Sequence, residues 1–243
     1  MVTKLLYHRG DEKNAYPNTI SSFEMAARGK GEGVELDVQF TRDNVPVVFH
    51  DRKIDASTSS SGFLTDYTLK NLKKIELDLS DACSVHRIPT LEEVLQVVKE
   101  MEVIDIEIKQ RSGENFDQIV NLMEVVEEQG VLDRVIFTSF NHYSVEFINS
   151  IDPEVSKGII YYARLYEPWK YAKKLNAEYL VPLHRTVTSK LIEETNKRDL
   201  KIMAYGSNER EDLKSLIEIG VDYIISDEVD RALKIRDNYL DGE

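Results

Sequence analysis

The sequence predicts a (β/α)₈ barrel, the TIM-barrel fold, formed by one domain over residues 1–243. Short β-branched apolar runs alternate with amphipathic stretches along the chain, and this alternation favours parallel strands joined by helical crossovers. Eight such pairs fit in 243 residues, and barrels of this kind usually take about 250. The first strand-to-helix turn lacks the glycine-rich fingerprint of a doubly wound open sheet, which disfavours that fold.

The predicted strands are runs of four to six mainly apolar residues. They are Lys4–His8, Val34–Val38, Val103–Ile108, Val135–Ser139, Gly158–Tyr162, Tyr179–Leu183, Lys201–Tyr205 and Tyr223–Ser226. The predicted helices are Thr19–Lys30, Leu91–Glu100, Phe116–Gln129, His142–Ser150, Pro168–Leu175, Ser189–Arg198, Glu209–Ile219 and Glu228–Tyr239. Thr90 and Glu93 form a capping-box pattern at one helix start. Asn208 is expected to cap the helix that begins at Glu209.

One segment interrupts the alternation. Val45–His50 has the pattern of a further strand, but only Thr41–Asn44 separates it from the second strand. A parallel crossover needs a dozen or more residues, so the two strands are expected to form an antiparallel hairpin. A fold about Asp43 would bring His50 beside the second strand. A small insertion of about residues 51–87 is expected to follow, before the next helix.

Composition excludes several classes of protein. The formal net charge is −13, from 31 basic and 44 acidic residues, which argues against a nucleic-acid partner because such a partner needs a basic face. No apolar run approaches the roughly 18 residues of a transmembrane helix. Cys83 is the only cysteine, so an internal disulfide is impossible. The N-terminus lacks the pattern of a signal peptide, and a cytoplasmic location is expected on that basis.

Charged residues occur at the ends of the first three predicted barrel strands, where such barrels collect their reactive groups. They are His8 and Arg9 on the first, Glu35 and Asp37 on the second, and Glu107 and Lys109 on the third. Residues two apart share one face of a strand, so Glu35 and Asp37 point the same way, and so do Glu107 and Lys109. Inward charges need partners or a metal ion. Three carboxylates favour a hard divalent cation, Mg²⁺ or Ca²⁺. The alternative is ordinary ion pairing with Arg9 and Lys109, without a metal.

The pattern also suggests roles for the other residues. Arg9 and Lys109 supply positive charge that suits a phosphate. Without a nucleophilic serine or a partner cysteine, His8 and His50 suggest paired acid-base catalysis near neutral pH. Phe140, directly after the fourth strand, is expected to form a wall of the pocket.

The remaining polar candidates are given less specific roles. Asp105 lies one layer deeper than Glu107 and is interpreted as an anchor for Lys109. Turn or capping roles are expected for Asp222 and Asp227, which flank the last strand. Surface positions are expected for His86 and His142. His184 ends the sixth strand, where a structural role and a phosphate or head-group contact remain equally open.

Several short motifs, which include the candidate site residues, follow one another along the chain in a characteristic order. They are His8–Gly10, Asn18–Thr19, Phe23, Glu35–Val38, Thr41–Asp43, His50–Asp51, Ile88–Leu95, Ile106–Lys109, Ser139–Phe140 and Gly220–Asp227. Together they resemble the glycerophosphodiester phosphodiesterases, which belong to the same broad superfamily as the phosphatidylinositol-specific phospholipases C. The resemblance covers nearly the whole chain.

The resemblance implies a (β/α)₈ barrel that hydrolyses a glycerophosphodiester, such as glycerophosphocholine, to glycerol 3-phosphate and an alcohol. It implies the following roles: Glu35, Asp37 and Glu107 as ligands of one divalent cation, His8 and His50 as the acid-base pair, and Arg9 and Lys109 as phosphate contacts. The expected partner is therefore a small-molecule phosphodiester, and the oligomeric state is left open.

Two departures from the family pattern concern specificity. Pro17 occupies the position where the family usually has a glutamate before Asn18–Thr19, so one polar contact of the site is expected to be lost or replaced. Near the seventh strand the family usually has a tryptophan, and this chain has Tyr205. An aromatic wall with a smaller ring is therefore expected to contact the substrate's glycerol or head group.

Three alternatives to this function remain at this stage. The same site could act on a lipid-bearing diester, as a lyase or a lysophospholipase D, which an apolar strip near the mouth would favour. In the predicted insertion only Phe63 and Leu64 would supply such a strip. The chain could also be a binding barrel with a degraded site, or a purely structural barrel that binds no divalent ion.

Overall fold

The computed structural model describes residues 2–77, 85–109 and 116–242. Its strands are β1 (Lys4–His8), β2 (Gly33–Phe40), β3 (Pro46–Val48), β4 (Val103–Ile108), β5 (Val135–Ser139), β6 (Lys157–Tyr161), β7 (Tyr179–Pro182), β8 (Lys201–Tyr205) and β9 (Tyr223–Ser226). Its α-helices are α1 (Ile20–Arg28), α2 (Leu69–Leu72), α3 (Leu91–Val98), α4 (Asp117–Glu128), α5 (His142–Ile151), α6 (Pro168–Lys174), α7 (Ser189–Asn196), α8 (Arg210–Ile219) and α9 (Val229–Asp241).

Eight of these strands close into a parallel barrel. The sheet order is β1-β9-β8-β7-β6-β5-β4-β2-β3, and pairing of β1 with β2 closes it. The helices between the strands cover the outside, so both faces of each strand are buried, as parallel sheets require. The predicted (β/α)₈ barrel is therefore confirmed.

Successive residues along the strands face two different apolar cores. Leu5 faces the outer core between strands and helices. Its neighbour Leu6 faces the inner core of the barrel, together with Ile136, Ile160 and Met203. The same alternation turns every second side chain of β2 and β4 inward, and this places polar groups above the inner core.

The predicted hairpin is present. β3 pairs antiparallel with β2, with Val38 opposite Val48 and Phe40 opposite Pro46. The backbone N–H of Phe49 donates to the Asp37 carbonyl at 2.9 Å, so the pairing extends toward His50. Asn44 takes the left-handed conformation in the turn, with φ of 61°, which asparagine tolerates better than most residues.

The predicted insertion is described over residues 51–77 and 85–87, and Cys83 lies outside the described residues. The described part of the insertion, including α2, packs against β3 and forms a small core separate from the two cores of the barrel. The buried members of that core are Val47, Phe49, Ile54, Leu64, Leu72, Leu77 and Ile88. Among the described helices, none has the length and apolar character needed to cross a membrane.

The two predicted helix caps differ in outcome. Thr90 and Glu93 form a capping box at α3, as predicted. The expected cap by Asn208 is wrong, because Glu209 occupies the N-cap position of α8 and makes no side-chain cap bond. The Asn208 side chain instead bonds to Asp227, at the end of β9.

Candidate active site

A cavity of about 220 Å³ opens at the carboxyl ends of the barrel strands. Its lining residues are His8, Arg9, Glu35, His50, Asp105, Glu107, Lys109, Phe140, Ile160, Tyr162, Val181, Tyr205 and Ile225. Most of the residues singled out in the sequence therefore meet at one place, although they come from strands far apart in the chain.

Three carboxylates form a compact cluster beside this cavity. Glu35, Asp37 and Glu107 each offer an oxygen, and these oxygens all lie within 4.8 Å of one another. The register explains the cluster, because Asp37 lies opposite Glu107 across the β2–β4 pair. The side chains of Glu35 and Asp37 are buried, so their charge needs compensation from nearby groups.

Two cations compensate part of this charge. Arg9 Nε lies 2.9 Å from Asp37 Oδ2. Lys109 Nζ lies 2.8 Å from Asp37 Oδ1 and 2.6 Å from Glu107 Oε1. Burial by itself would raise the pKa of Asp37, but Lys109 and Arg9 outweigh it and lower that pKa to about 2. Asp37 is therefore ionised at any pH near neutrality.

Glu35 is not compensated in this way. Its Oε2 accepts a 3.2 Å bond from the Arg9 backbone N–H, but no lysine or arginine side chain lies within ion-pair distance of it in the described ranges. Burial, then the charges of Asp37 and Glu107, raise its pKa well above the usual value. The ion-pairing alternative thus accounts for Asp37 and Glu107 but leaves Glu35 without a cation.

The donor set fits a divalent cation. Four inward carboxylates of β2 and β4, those of Glu35, Asp37, Asp105 and Glu107, are close to only two lysine or arginine cations among the described residues. Every candidate ligand atom of the cluster is a carboxylate oxygen, and this composition suits Mg²⁺ or Ca²⁺ better than zinc. Glu35, Asp37 and Glu107 could therefore hold one such ion.

His8 lies at the rim of this cluster. Its Nε2 is 3.9 Å from Glu35 Oε2, and its Nδ1 is 2.6 Å from Asp227 Oδ1. The ring thus lies between a carboxylate of the cluster and a carboxylate from the other side of the barrel seam.

His50 reaches the cavity from the β2–β3 hairpin. Its Nδ1 is 2.8 Å from Asp51 Oδ1. Burial lowers the pKa of His50, Lys109 and Arg9 lower it further, and Asp37 opposes the shift only in part. The neutral imidazole is therefore favoured, which suits a group that accepts a proton.

Two polar contacts of the site were missed by sequence reasoning. Asp227 was expected in a turn or cap, and that expectation is wrong because its carboxylate pairs with His8. Asn18 donates from Nδ2 to Asp37 Oδ2 at 2.8 Å. It directly follows Pro17, which stands where the family usually has a glutamate, so a polar contact to the site is present next to that position. The signal for Asp227 was available: a closed barrel brings its last strand beside its first.

The predicted role of Asp105 is also wrong. Lys109 pairs with Asp37 and Glu107, whereas Asp105 Oδ1 accepts a 2.7 Å bond from the Thr138 hydroxyl on β5. Burial raises the pKa of Asp105 to about 8 despite that hydrogen bond. Asp105 is thus a buried carboxyl whose protonated form is favoured near neutral pH.

An aromatic wall faces the carboxylates. Phe140 and Tyr205 line the cavity as expected, and Tyr162 is a third member that the sequence did not indicate. The Phe140 and Tyr162 rings are stacked with centroids 4.5 Å apart. The Tyr205 ring is perpendicular to Phe140 at 6.1 Å.

The other histidines take no part in lining the cavity. His142 is half-buried rather than at the surface, because its Nε2 lies 2.9 Å from the Ile160 carbonyl. His86 is also half-buried, and its ring lies 3.2 Å from the Ser21 hydroxyl. His184 is buried with Nε2 3.3 Å from Asp212 Oδ2, which favours the structural role for it.

Comparison with known proteins agrees with this geometry. The model of the glycerophosphoryl diester phosphodiesterase family matches residues 8–231. A glycerophosphodiester phosphodiesterase of Caldanaerobacter subterraneus subsp. tengcongensis is 34% identical over 238 residues, covering 97% of this chain and 98% of that protein. One from Bacillus altitudinis is 31% identical over 242 residues, covering 97% and 99%.

Solved structures show the same fold. A phosphodiesterase of Oleispira antarctica, in complex with the product sn-glycerol-3-phosphate, superposes with a TM-score of 0.88 at 22% identity, covering 97% of each chain. A glycerophosphodiester phosphodiesterase of Parabacteroides distasonis gives a TM-score of 0.85 at 23% identity, covering 98% of each chain.

Proposed function

Because the chain belongs to the glycerophosphoryl diester phosphodiesterase family, and is thus an enzyme of this class, we propose that it hydrolyses glycerophosphodiesters to sn-glycerol 3-phosphate and an alcohol with the help of one divalent cation. The observation that carries the proposal is the cluster of Glu35, Asp37 and Glu107 between two histidines. The structure of a neighbour with that product bound gives independent support for the substrate class.

The three carboxylates hold the cation, which we take to be Mg²⁺ or Ca²⁺. When bound, such an ion lowers the pKa of a substrate hydroxyl and offsets the negative charge that develops on the phosphate. Asn18 fixes one oxygen of Asp37 by its 2.8 Å hydrogen bond, and this leaves the orientation of that ligand well defined.

His8 and His50 move the protons. One histidine takes the proton of the glycerol 2-hydroxyl while that oxygen attacks phosphorus, and the other donates a proton to the departing alcohol oxygen. A cyclic glycerol phosphate results. Water then opens the ring with the two roles reversed, which yields sn-glycerol 3-phosphate. The lowered pKa of His50 keeps its neutral form available for accepting a proton, and either histidine can act first in this scheme.

Arg9 and Lys109 contact the phosphate in this scheme. Both already lie against Asp37, so their positions are fixed before the substrate arrives. Preorganised cations stabilise the pentacoordinate phosphate without reorganisation during the step. Phe140 and Tyr205 form the apolar wall against which the substrate packs.

Product analysis tests the proposal. Incubation with glycerophosphocholine and Mg²⁺ or Ca²⁺ should release choline and glycerol 3-phosphate. Glu107→Gln, purified in the same way, controls for a contaminating phosphodiesterase and should release far less. Release of glycerol and phosphocholine, or binding of metal and diester without any turnover, would contradict the proposed reaction.

A lipid-bearing diester is the second candidate substrate, and one observation favours it. The loop after β6 carries Tyr162, Leu165 and Tyr166, which are 67%, 36% and 90% exposed, and Tyr162 belongs to the pocket wall. The insertion offers less, since Leu64 is buried and only Phe63 is exposed. Release of choline from lysophosphatidylcholine faster than from glycerophosphocholine would establish this candidate, and the opposite order would exclude it as the preferred substrate.

A further inference from the structure

Asp227 reaches the proposed catalytic centre across the seam of the barrel. β9 pairs with β1 in parallel, with Tyr7 opposite Ser226, so the residues that follow the two strands are neighbours. Asp227 Oδ1 lies 2.6 Å from His8 Nδ1. It is the only hydrogen bond that the described residues show for the His8 ring.

Asn208 fixes the Asp227 carboxylate from the other side. The Asp227 backbone N–H can only donate, and it donates to Asn208 Oδ1 at 3.0 Å. The amide of Asn208 therefore has its nitrogen turned toward Asp227, and Nδ2 donates to Asp227 Oδ2. Both oxygens of Asp227 are thus acceptors, one from Asn208 and the other from His8.

We propose that Asp227, oriented by Asn208, is a positioning residue that fixes the tautomer of His8, and this inference rests on the catalytic role proposed for His8. Because Asp227 accepts at Oδ1, the proton of the neutral ring must sit on Nδ1. Nε2 then carries the lone pair, on the side of the ring that faces Glu35 and the cavity. With Nδ1–H held by Asp227, Nε2 is the atom that accepts a proton from the substrate, or donates one once it is protonated.

Besides Asp227 at Nδ1 and Glu35 at 3.9 Å from Nε2, a third carboxylate, that of Glu12, lies near this ring. Its Oε2 lies 4.0 Å from His8 Nδ1, which is too far for a hydrogen bond. It also lacks the amide contact that orients Asp227. The orientation of His8 therefore depends on Asp227 and Asn208.

The first variant, Asp227→Asn, reverses the hydrogen-bond direction. The amide of Asn208 still points its donor at residue 227, so the new side chain turns its oxygen toward Asn208 and its NH₂ toward His8. That NH₂ forces Nδ1 to accept and moves the ring proton to Nε2. We expect kcat to fall at least ~10²-fold, with KM within about threefold of the wild type.

Adding Asn208→Asp to Asp227→Asn should restore the tautomer. The carboxylate at position 208 accepts from the backbone N–H of residue 227 and from the new NH₂, which turns the new side-chain oxygen back toward His8. We expect the kcat of the double variant to be at least ~10-fold higher than that of Asp227→Asn alone. If Asp227 had only a structural role, the second substitution would not be expected to restore kcat. Glu228→Gln, next in the chain, serves as the matched control and should leave kcat within about twofold.

Two readouts separate this inference from the proposed function. Wild-type activity in Asp227→Asn, or a double variant no more active than the single one, overturns the positioning role provided that His8→Ala is inactive. Full activity in His8→Ala overturns the proposed function itself. If Asp227→Asn fails to fold, nitrogen chemical shifts of His8 in the wild type decide: protonated Nδ1 with unprotonated Nε2 is expected, and the reverse pattern overturns the inference.

Discussion

Both candidate catalytic histidines have an aspartate at Nδ1, but the two pairs differ in their surroundings. The side chains of His8 and Asp227 are 30% and 28% exposed, whereas those of His50 and Asp51 are 41% and 48% exposed. His8 is therefore held more firmly by the protein, and His50 has more contact with solvent.

Removal of either histidine tests the acid-base pair. His8→Ala and His50→Ala should each reduce kcat by about 10²–10⁴-fold, the usual contribution of one general acid or base. Steady-state kinetics with glycerophosphocholine measures this, with circular dichroism to verify folding. A histidine variant that keeps most of its turnover removes that residue from the mechanism.

Asp105 gives a pH-dependent prediction for the stability of the metal-free protein. Burial raises its pKa to about 8, whereas the unfolded carboxyl titrates near pH ~4. Folding binds a proton in this window, so the contribution of Asp105 makes the wild type less stable as pH rises from about 4 to 8. Asp105→Asn keeps an acceptor for Thr138 and does not titrate.

The stability of Asp105→Asn relative to the wild type should therefore increase between pH 5 and pH 8, by at least ~1 kcal/mol. Urea denaturation of chelator-treated protein at the two pH values measures the difference. A difference that stays constant, or that shrinks toward pH 8, contradicts the assignment of Asp105 as a group that retains its proton.

The site residues that could be predicted from the sequence are those placed by the two-residue alternation of a strand. Glu35, Asp37 and Glu107 were predicted because a period of two turns them to one face, and they do cluster. Asp227 and Tyr162 were missed, because their roles depend on which strands are neighbours and on how a loop returns over the cavity. The predicted barrel implied the first relation, since closure brings the last strand beside the first, but no residue pattern indicated the path of the loop.

At the scale of elements, the strands were the most predictable part. The eight barrel strands were located within one or two residues of their observed bounds, because runs of apolar β-branched residues mark buried strands directly. The hairpin register also followed from its short turn. The cap by Asn208 failed, because a tertiary hydrogen bond to Asp227 competes with capping, and local sequence does not reveal that competitor.

The close approach of β2 and β4 is what brings the carboxylates together, and Gly33 allows it. A Cβ at this position would lie 2.4 Å from the Val103 carbonyl oxygen, a backbone atom of the paired strand. Gly33→Ala should therefore lower the free energy of unfolding by ~1–3 kcal/mol, and Gly33→Val by more. Urea denaturation tests this series. An alanine variant as stable as the wild type would show that the strands separate there without cost.

At the scale of the whole molecule, a net charge of −13 opposes the approach of an anionic substrate. The site resolves this conflict locally. Arg9 and Lys109 stand at the cavity, and a divalent ion among the three carboxylates would reverse the sign of the field at the barrel mouth. The net negative charge disfavours polyanions such as nucleic acids, while the proposed site would accept a single phosphodiester.

If Glu35, Asp37 and Glu107 hold a divalent ion that the reaction needs, turnover depends on that ion. The most direct measurement is the rate of glycerol 3-phosphate release from glycerophosphocholine by protein stripped with a chelator, before and after Mg²⁺ or Ca²⁺ is added back. We expect stripping to lower the rate at least ~10²-fold, with recovery in the wild type and little recovery in Glu35→Gln. Undiminished turnover by the exhaustively stripped enzyme would contradict the need for this ion.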